Sequence, residues 1–270
     1  MDYSFLISGM TWSYSRIKTF TDCPYKFLLR YIYCVPEEAK FFSSYGSFVH
    51  SILEKFHNNE IDKRSLVGYY LLHFNSEVSG RPPSDSIFKN YFESGINYFK
   101  NLEHTKDEIL GVEKKVEWNI RGYNFTGYID LITRDKDGDV KIIDNKSRDL
   151  KNRSKRFMNG GKPTQTDIML DDYLRQLYLY ADGIKSTTGT KVSALEFNCF
   201  RTGAVITEPY MNSAAKQSLD WAIDSIEKIK KESEWAPNFN EWSCEHICGV
   251  NNDCEYYQVL GGGRRERLRH

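Results

Sequence analysis

The sequence predicts an α/β protein in which a mixed central sheet is flanked by helices, with a helical N-terminal part and a C-terminal cysteine tail. Three observations carry this. Apolar runs on both sides of the turn segment Asp135 to Asp139, Tyr128 to Ile132 and Val140 to Asp144, read as strands buried on two faces. Segments of helical period stand before and after them. Three of the six cysteines fall within the eleven residues from Cys244 to Cys254.

Taken in order, helices are expected over 14–33, 45–58, 63–78 and 84–103. In the second, Val49, Ile52, Leu53 and Phe56 repeat at i, i+3, i+4 and i+7, an apolar stripe with His50 at its edge. Strands follow over 110–120, 123–134 and 139–146. A helix over 167–184, a hairpin near 192–209 turning at Arg201-Thr202-Gly203, and a helix over 213–233 complete the sheet and its cover. This divides one integrated chain into a helical region (1–105), a sheet core (106–235) and a cysteine tail (236–270).

The chemistry concentrates on the central hairpin. With the turn at Asp135 to Asp139, residues whose numbers sum to 274 face each other, so Asp130 lies opposite Asp144. Lys146, two residues on, projects from the same face. Two carboxylates at cross-strand distance repel unless a cation sits between them, and oxygen donors of this kind select Mg²⁺ or Mn²⁺. A lysine beside such an ion can position or deprotonate water and neutralise charge on a phosphate, which suggests phosphodiester hydrolysis. The competing reading is a solvated acidic turn, but charges on a doubly buried strand are costly without a purpose. The turn lacks the spacing of a calcium loop and is a polar hairpin turn.

Other candidates have plainer readings of their own. A lone histidine such as His50 is ordinarily a boundary residue, and His57 serves as its control. Gln176 and Tyr180, four apart on a helix, share a face and can point at one neighbour. Glu117 could be an auxiliary acid, though a surface ion pair explains it as well. The run Lys151 to Arg156 reads as a flexible loop beside the site that could hold phosphates. The aromatic and basic run Tyr25, Lys26, Phe27, Arg30, Tyr31, Tyr33 offers stacking faces and charge for a single strand. A second basic run spans Arg264 to Arg267.

Lys and Arg total 37, as do Asp and Glu, so the chain has no global basic field and any nucleic-acid contact must be local. Apolar stretches fall short of the ~20 residues of a membrane span, and no secretory signal is apparent. A cytoplasmic chain is expected, with thiolates available as metal ligands rather than as disulfides. Four thiolates would suit zinc or an iron-sulfur cluster.

In series these segments resemble the PD-(D/E)XK nuclease superfamily, and within it the RecB-like and CRISPR-associated iron-sulfur exonucleases. The residues that carry the resemblance are D-x13-D-x-K at Asp130, Asp144 and Lys146, and Tyr45-Gly46-Ser47-Phe48-Val49-His50. Ser13-Tyr14-Ser15 followed by Cys23-Pro24-Tyr25-Lys26-Phe27, Q-x3-Y at Gln176 and Tyr180, and the terminal cysteines complete it. The resemblance implies a restriction-endonuclease-like core and a Mg²⁺ or Mn²⁺ site of His50, Asp130, Asp144 and the Asn145 carbonyl, with Lys146 on the attacking water and Gln176 and Tyr180 beside it. It also implies a [4Fe-4S] cluster on Cys23, Cys244, Cys248 and Cys254, although the first tail gap is three residues where the family has two. The implied activity is exonuclease digestion of single-stranded DNA; a 5′ to 3′ polarity is a separate expectation, and the pathway, whether repair, recombination, adaptation or phage replication, stays open. A helicase or an adaptation protein would be the partner. Two alternatives stay open: a noncatalytic nucleic-acid-binding or assembly protein, and a structure-specific endonuclease or nuclease subunit of a helicase-nuclease. The sequence carries no Walker A loop.

Overall fold

The structure, a computed structural model, describes residues 3–262; the run Arg264 to Arg267 lies outside them. After a short α1 (Ser4–Ser8), Ser13 caps α2 (Tyr14–Asp22), its hydroxyl accepting from Arg16 N. The single helix expected over 14–33 is broken at Cys23. Pro24 has no N–H to continue the ladder of α2 but suits the first turn of a new helix, so α3 (Pro24–Phe27) starts there and runs into a π turn over Leu28–Ile32. The next three helices are α4 (Phe41–His57), α5 (Leu66–Glu77) and α6 (Asp85–Asn101).

Five strands form one sheet in the order β1 (Glu108–Ile120), β2 (Tyr123–Arg134), β3 (Val140–Lys146), β4 (Ala194–Cys199), β5 (Ala204–Pro209). All neighbours are antiparallel except β3 and β4. A parallel pair needs a long crossover, supplied by α7 (Lys155–Met158) and α8 (Gln165–Thr188). Arg121 and Gly122, both with positive φ (49° and 94°), make the two-residue turn from β1 to β2. The β2–β3 turn is a polar one in which Asp135 Oδ1 accepts from Asp137 N and Asp139 N.

Two cores clamp this sheet. On one side α2, α8 and α9 (Asn212–Lys231) pack Ile17, Leu174, Leu177 and Ile226 against Ile142 and Phe197. On the other, α4, α5 and α6 bury Val49, Ile52, Phe56, Tyr70, Phe74 and Phe99 with Phe200. Each such side chain contributes ~1.5–3 kcal/mol of transfer free energy. Among the described residues no helix is long and apolar enough to cross a membrane.

Two loops depart from expectation. The Lys151 to Arg156 run is pinned rather than free: the fully buried Asp167 accepts from Ser154 N and Oγ, and Arg153 pairs with Asp171 and Glu208. The tail, for which the sequence reading places no helix beyond 233, includes α10 (Glu241–His246) and docks on the N-terminal part. Trp235 stacks on Phe27 at 5.9 Å, Asn238 Nδ2 donates to Asp22 O, and Tyr25 OH donates to Glu255.

Candidate active site

The β2–β3 ladder ends at the pair Leu131–Ile143, whose numbers sum to 274. One step further, Asp130 and Asp144 leave the ladder. Asp130 Oδ2 accepts from Asn145 N at 2.6 Å, a side-chain bond taking the place of the next backbone one. Asp144 is 3% exposed; its Oδ2 lies 2.7 Å from Lys146 Nζ as an ion pair and makes no directed hydrogen bond. Lys146 Nζ in turn donates to Gln176 Oε1 at 2.9 Å, and Gln176 Nε2 donates to Tyr180 OH at 3.1 Å. The lysine is therefore held at a fixed spot beside the acids.

What presents Gln176 and Tyr180 is the long α8, whose start is fixed by a Thr164–Asp167 capping box. The Tyr180 ring crosses β2 at Gly127: a Cβ there would lie 2.4 Å from Tyr180 Cε1. Only glycine permits that approach.

From the opposite side, α4 delivers His50. Its Nε2 lies 2.9 Å from Asn145 O, and its Nδ1 lies 3.4 Å from Asp130 Oδ2 and 3.8 Å from Glu113 Oε1. The candidate ligand atoms of His50, Glu113 and Asp130 all lie within 4.8 Å of one another. Asp144 stands outside this triad, on the Lys146 side. The structure thus brings together every sheet and helix residue expected at the site, and adds Glu113.

Glu113 is not among the residues the sequence reading offers; Glu117, which is, stands exposed and pairs with Lys115 on the surface. The signal was available: the Arg121-Gly122 turn sets a β1–β2 register in which numbers sum to 243, with Val112 facing Leu131 and Lys114 facing Ile129. Glu113 therefore stands opposite Asp130, as Asp130 stands opposite Asp144. Its φ of 44° is a left-handed conformation that a glutamate adopts at a cost of ~1–3 kcal/mol, stored at the site.

The electrostatics follow from crowding acids in a dry place. Burial, then the Asp144 charge, pushes the Asp130 carboxyl up to about 7, against the pull of His50, the Asn145 N–H and Lys146. Burial works against protonating His50, but Glu113, Asp130 and Asp144 outweigh it and its pKa rises. Burial likewise opposes the Lys146 charge, and Asp144 and Asp130 more than restore it. Crowded oxygen donors, one imidazole and a buried Asp144 oxygen that makes no directed hydrogen bond fit a hard divalent cation. A cavity of 510 Å³, lined by Phe42, Gly46, Ser47, His50, Glu113 and Ser147 among others, opens onto the triad. A slightly larger one, 540 Å³, is lined by Tyr98, Asn145, Asn198 and Arg201 among others, and touches neither Asp130, Asp144 nor Lys146.

The cysteines form a second group. Cys23, the N-cap of α3, accepts from Lys26 N through Sγ. Burial raises the pKa of the Cys248 thiol and nearby Cys244 and Cys23 add to this; burial, Cys248 and Cys244 act likewise on Cys254. The four expected partners thus converge, although Cys23 is more than two hundred residues away in sequence. Among the described residues no three of these sulfurs lie within 4.8 Å of one another. Of the remaining two, whose sequence reading is that of small buried apolar residues, Cys199 is buried in the core, whereas Cys34 is exposed at φ 56° after the π turn carries the chain outward.

The sheet order, the acid pair ahead of a lysine and the helical Gln and Tyr define a nuclease fold. The sequence model of the PD-(D/E)XK nuclease superfamily matches residues 11–256, and the chain belongs to that superfamily. Similar solved structures include a presumed exonuclease from Eubacterium rectale (14% identity, TM-score 0.49, covering 93% of each chain). The protein SSO0001 (19% identity, TM-score 0.30) is similar over 78% of this chain and 95% of its own. No curated protein matches the chain.

Proposed function

We propose that this protein is a divalent-metal-dependent exonuclease that degrades single-stranded DNA from the 5′ end. The observation that carries the reading is the Lys146 ammonium, held between Asp144 and Gln176 beside the His50, Glu113 and Asp130 triad. His50, Glu113, Asp130, Asp144 and the Asn145 carbonyl would hold one Mg²⁺ or Mn²⁺ ion, which supplies Lewis-acid stabilisation of the leaving oxygen and a more acidic water. The imidazole in that set favours manganese.

Lys146 orients the attacking water and offsets negative charge gathering on the phosphate; Gln176 fixes the direction of its ammonium and Tyr180 fixes Gln176. Asp144 keeps that ammonium charged. Asp130 ties β2 to β3 at the point of reaction through the Asn145 N–H, so that the two strands cannot part there.

Cys23, Cys244, Cys248 and Cys254 would hold a structural [4Fe-4S] cluster. A tetrahedral zinc site on the same four thiolates is the alternative. Iron and sulfide content of protein purified without oxygen, against zinc content, distinguishes the two.

Linear single-stranded DNA labelled at either end, and a circular single strand, test the activity in Mn²⁺. Release of the 5′ label first with the circle intact is expected. Cutting of the circle would make the enzyme an endonuclease, and early release of the 3′ label would reverse the polarity.

A further inference from the structure

The aromatic and basic run singled out near the N-terminus is not a free binding surface. Phe27 is fully buried, and Lys26 and Arg30 both pair with Glu37. A different line of rings and guanidinium groups reaches the candidate site, assembled from six segments distant in sequence.

It starts at Trp242 of α10, 48% exposed, whose ring lies 5.7 Å from Phe42 at the start of α4. Phe42 lies 5.3 Å from Tyr91 of α6, and the Arg201 guanidinium sits 5.4 Å over the Tyr91 ring. Arg201 Nε donates to Ser147 O, next to the catalytic-strand lysine. Arg148 follows, donating to Tyr173 OH at 2.6 Å, with Lys146 Nζ itself 5.8 Å over the Tyr173 ring. Phe42 and Ser147 also line the 510 Å³ cavity that opens onto His50 and Glu113. Among the described residues no carboxylate lies within ion-pair distance of Arg148 or Arg201, unlike Arg30, Arg121, Arg134, Arg153 and Arg175; Arg16, Arg64, Arg81 and Arg156 share this, but none of them stands on the line. Two uncompensated guanidinium groups beside a cluster of acids call for a polyanion that reaches past the acids.

We propose that this line is the track of the substrate strand: Trp242 and Phe42 stack the bases of single-stranded DNA, Tyr91 backs the Arg201 guanidinium, and Arg201 and Arg148 hold the phosphates, delivering the strand to Lys146. The inference rests on the nuclease reading and adds the path. Rings without hydrogen-bonding edges accept any base, so the track grips sequence-neutrally. Stacking needs unpaired bases, so a duplex cannot use it.

Affinity of the full-length Lys146→Ala protein for a dye-labelled oligothymidylate, and for a blunt duplex of equal length, tests the track apart from the chemistry. Adding Trp242→Ala should weaken single-strand binding about tenfold and change duplex binding less, and Trp242→Phe should restore most of it. Adding Arg148→Ala should lower the slope of log affinity against log salt by about 0.7, one phosphate contact on a single strand. Unchanged single-strand affinity in Trp242→Ala, or a Trp242→Phe variant as weak as the alanine one, overturns the track. Cleavage by the Lys146→Ala protein would instead overturn the nuclease reading and leave the affinity comparison standing.

Discussion

The two donor groups of this molecule are built in opposite ways. The acids and lysine come from three adjacent strands whose registers align Glu113, Asp130 and Asp144 across the sheet, and His50 is the one ligand candidate brought by a helix. The cysteines come from the two ends of the chain, three from a tail of short helices and one from the break between α2 and α3. The sheet fixes hard donors within 4.8 Å at a cost in repulsion, which a cation can offset. The tail holds soft donors further apart, where a bound group would close a loop spanning nearly the whole sequence. Losing the first group should therefore stop chemistry in a folded protein; losing the second should lower the melting point of a protein that still cleaves while folded.

The largest expected effect sharpens the first half of that contrast. Asp144→Asn keeps the shape of the side chain but removes the charge that holds Lys146, and single-turnover cleavage should fall by about 10³-fold with the melting midpoint nearly unchanged. Glu113→Gln should act on metal binding alone. The Mn²⁺ concentration for half-maximal rate should rise at least roughly tenfold, with most of the rate recovered at saturating Mn²⁺; an unchanged requirement would remove Glu113 from the site.

A smaller effect probes the helix side. Gly127→Ala puts a methyl group into the Tyr180 ring, and overpacking of this kind costs ~1–3 kcal/mol. Because Tyr180 supports Gln176, the cleavage rate should fall along with the melting midpoint; a loss of midpoint alone would detach Tyr180 from the reaction.

The smallest concerns a histidine outside both groups. Burial, then His104, lowers the pKa of His57 to about 4, against an ordinary value of 6.5. Between those values the unfolded chain binds the proton and the folded one does not, so stability falls as pH drops from about 6.5 to 4. The loss is about 2 kcal/mol once its partial exposure is allowed for. Urea midpoints of wild type and His57→Asn across that window should converge toward low pH.

Local geometry explains what was legible in the sequence. A tight polar turn fixes strand register, so the facing of Asp130 and Asp144 could be read from residue numbers, and the i, i+4 spacing of Gln176 and Tyr180 from helical period. The same arithmetic applied to the Arg121-Gly122 turn would have reached Glu113. The break at Cys23 was signalled by Pro24, but the apolar period running on through Phe27 and Tyr31 hid it. Contacts between distant segments carry no such period. Nothing in the Lys151 to Arg156 run announces that Asp167 will anchor it, and nothing local joins Cys23 to Cys248 or Trp242 to Phe42. For the cysteines only the family resemblance supplied the pairing.

A paired measurement tests the division of labour most directly: the rate of single-strand cleavage in Mn²⁺ and the melting midpoint, both taken on Lys146→Ala and on Cys248→Ser purified without oxygen. The account predicts that Lys146→Ala loses cleavage even at temperatures where it is fully folded, while Cys248→Ser melts several degrees lower and still cleaves below that temperature. A Lys146→Ala protein that cleaves at the wild-type rate would contradict it.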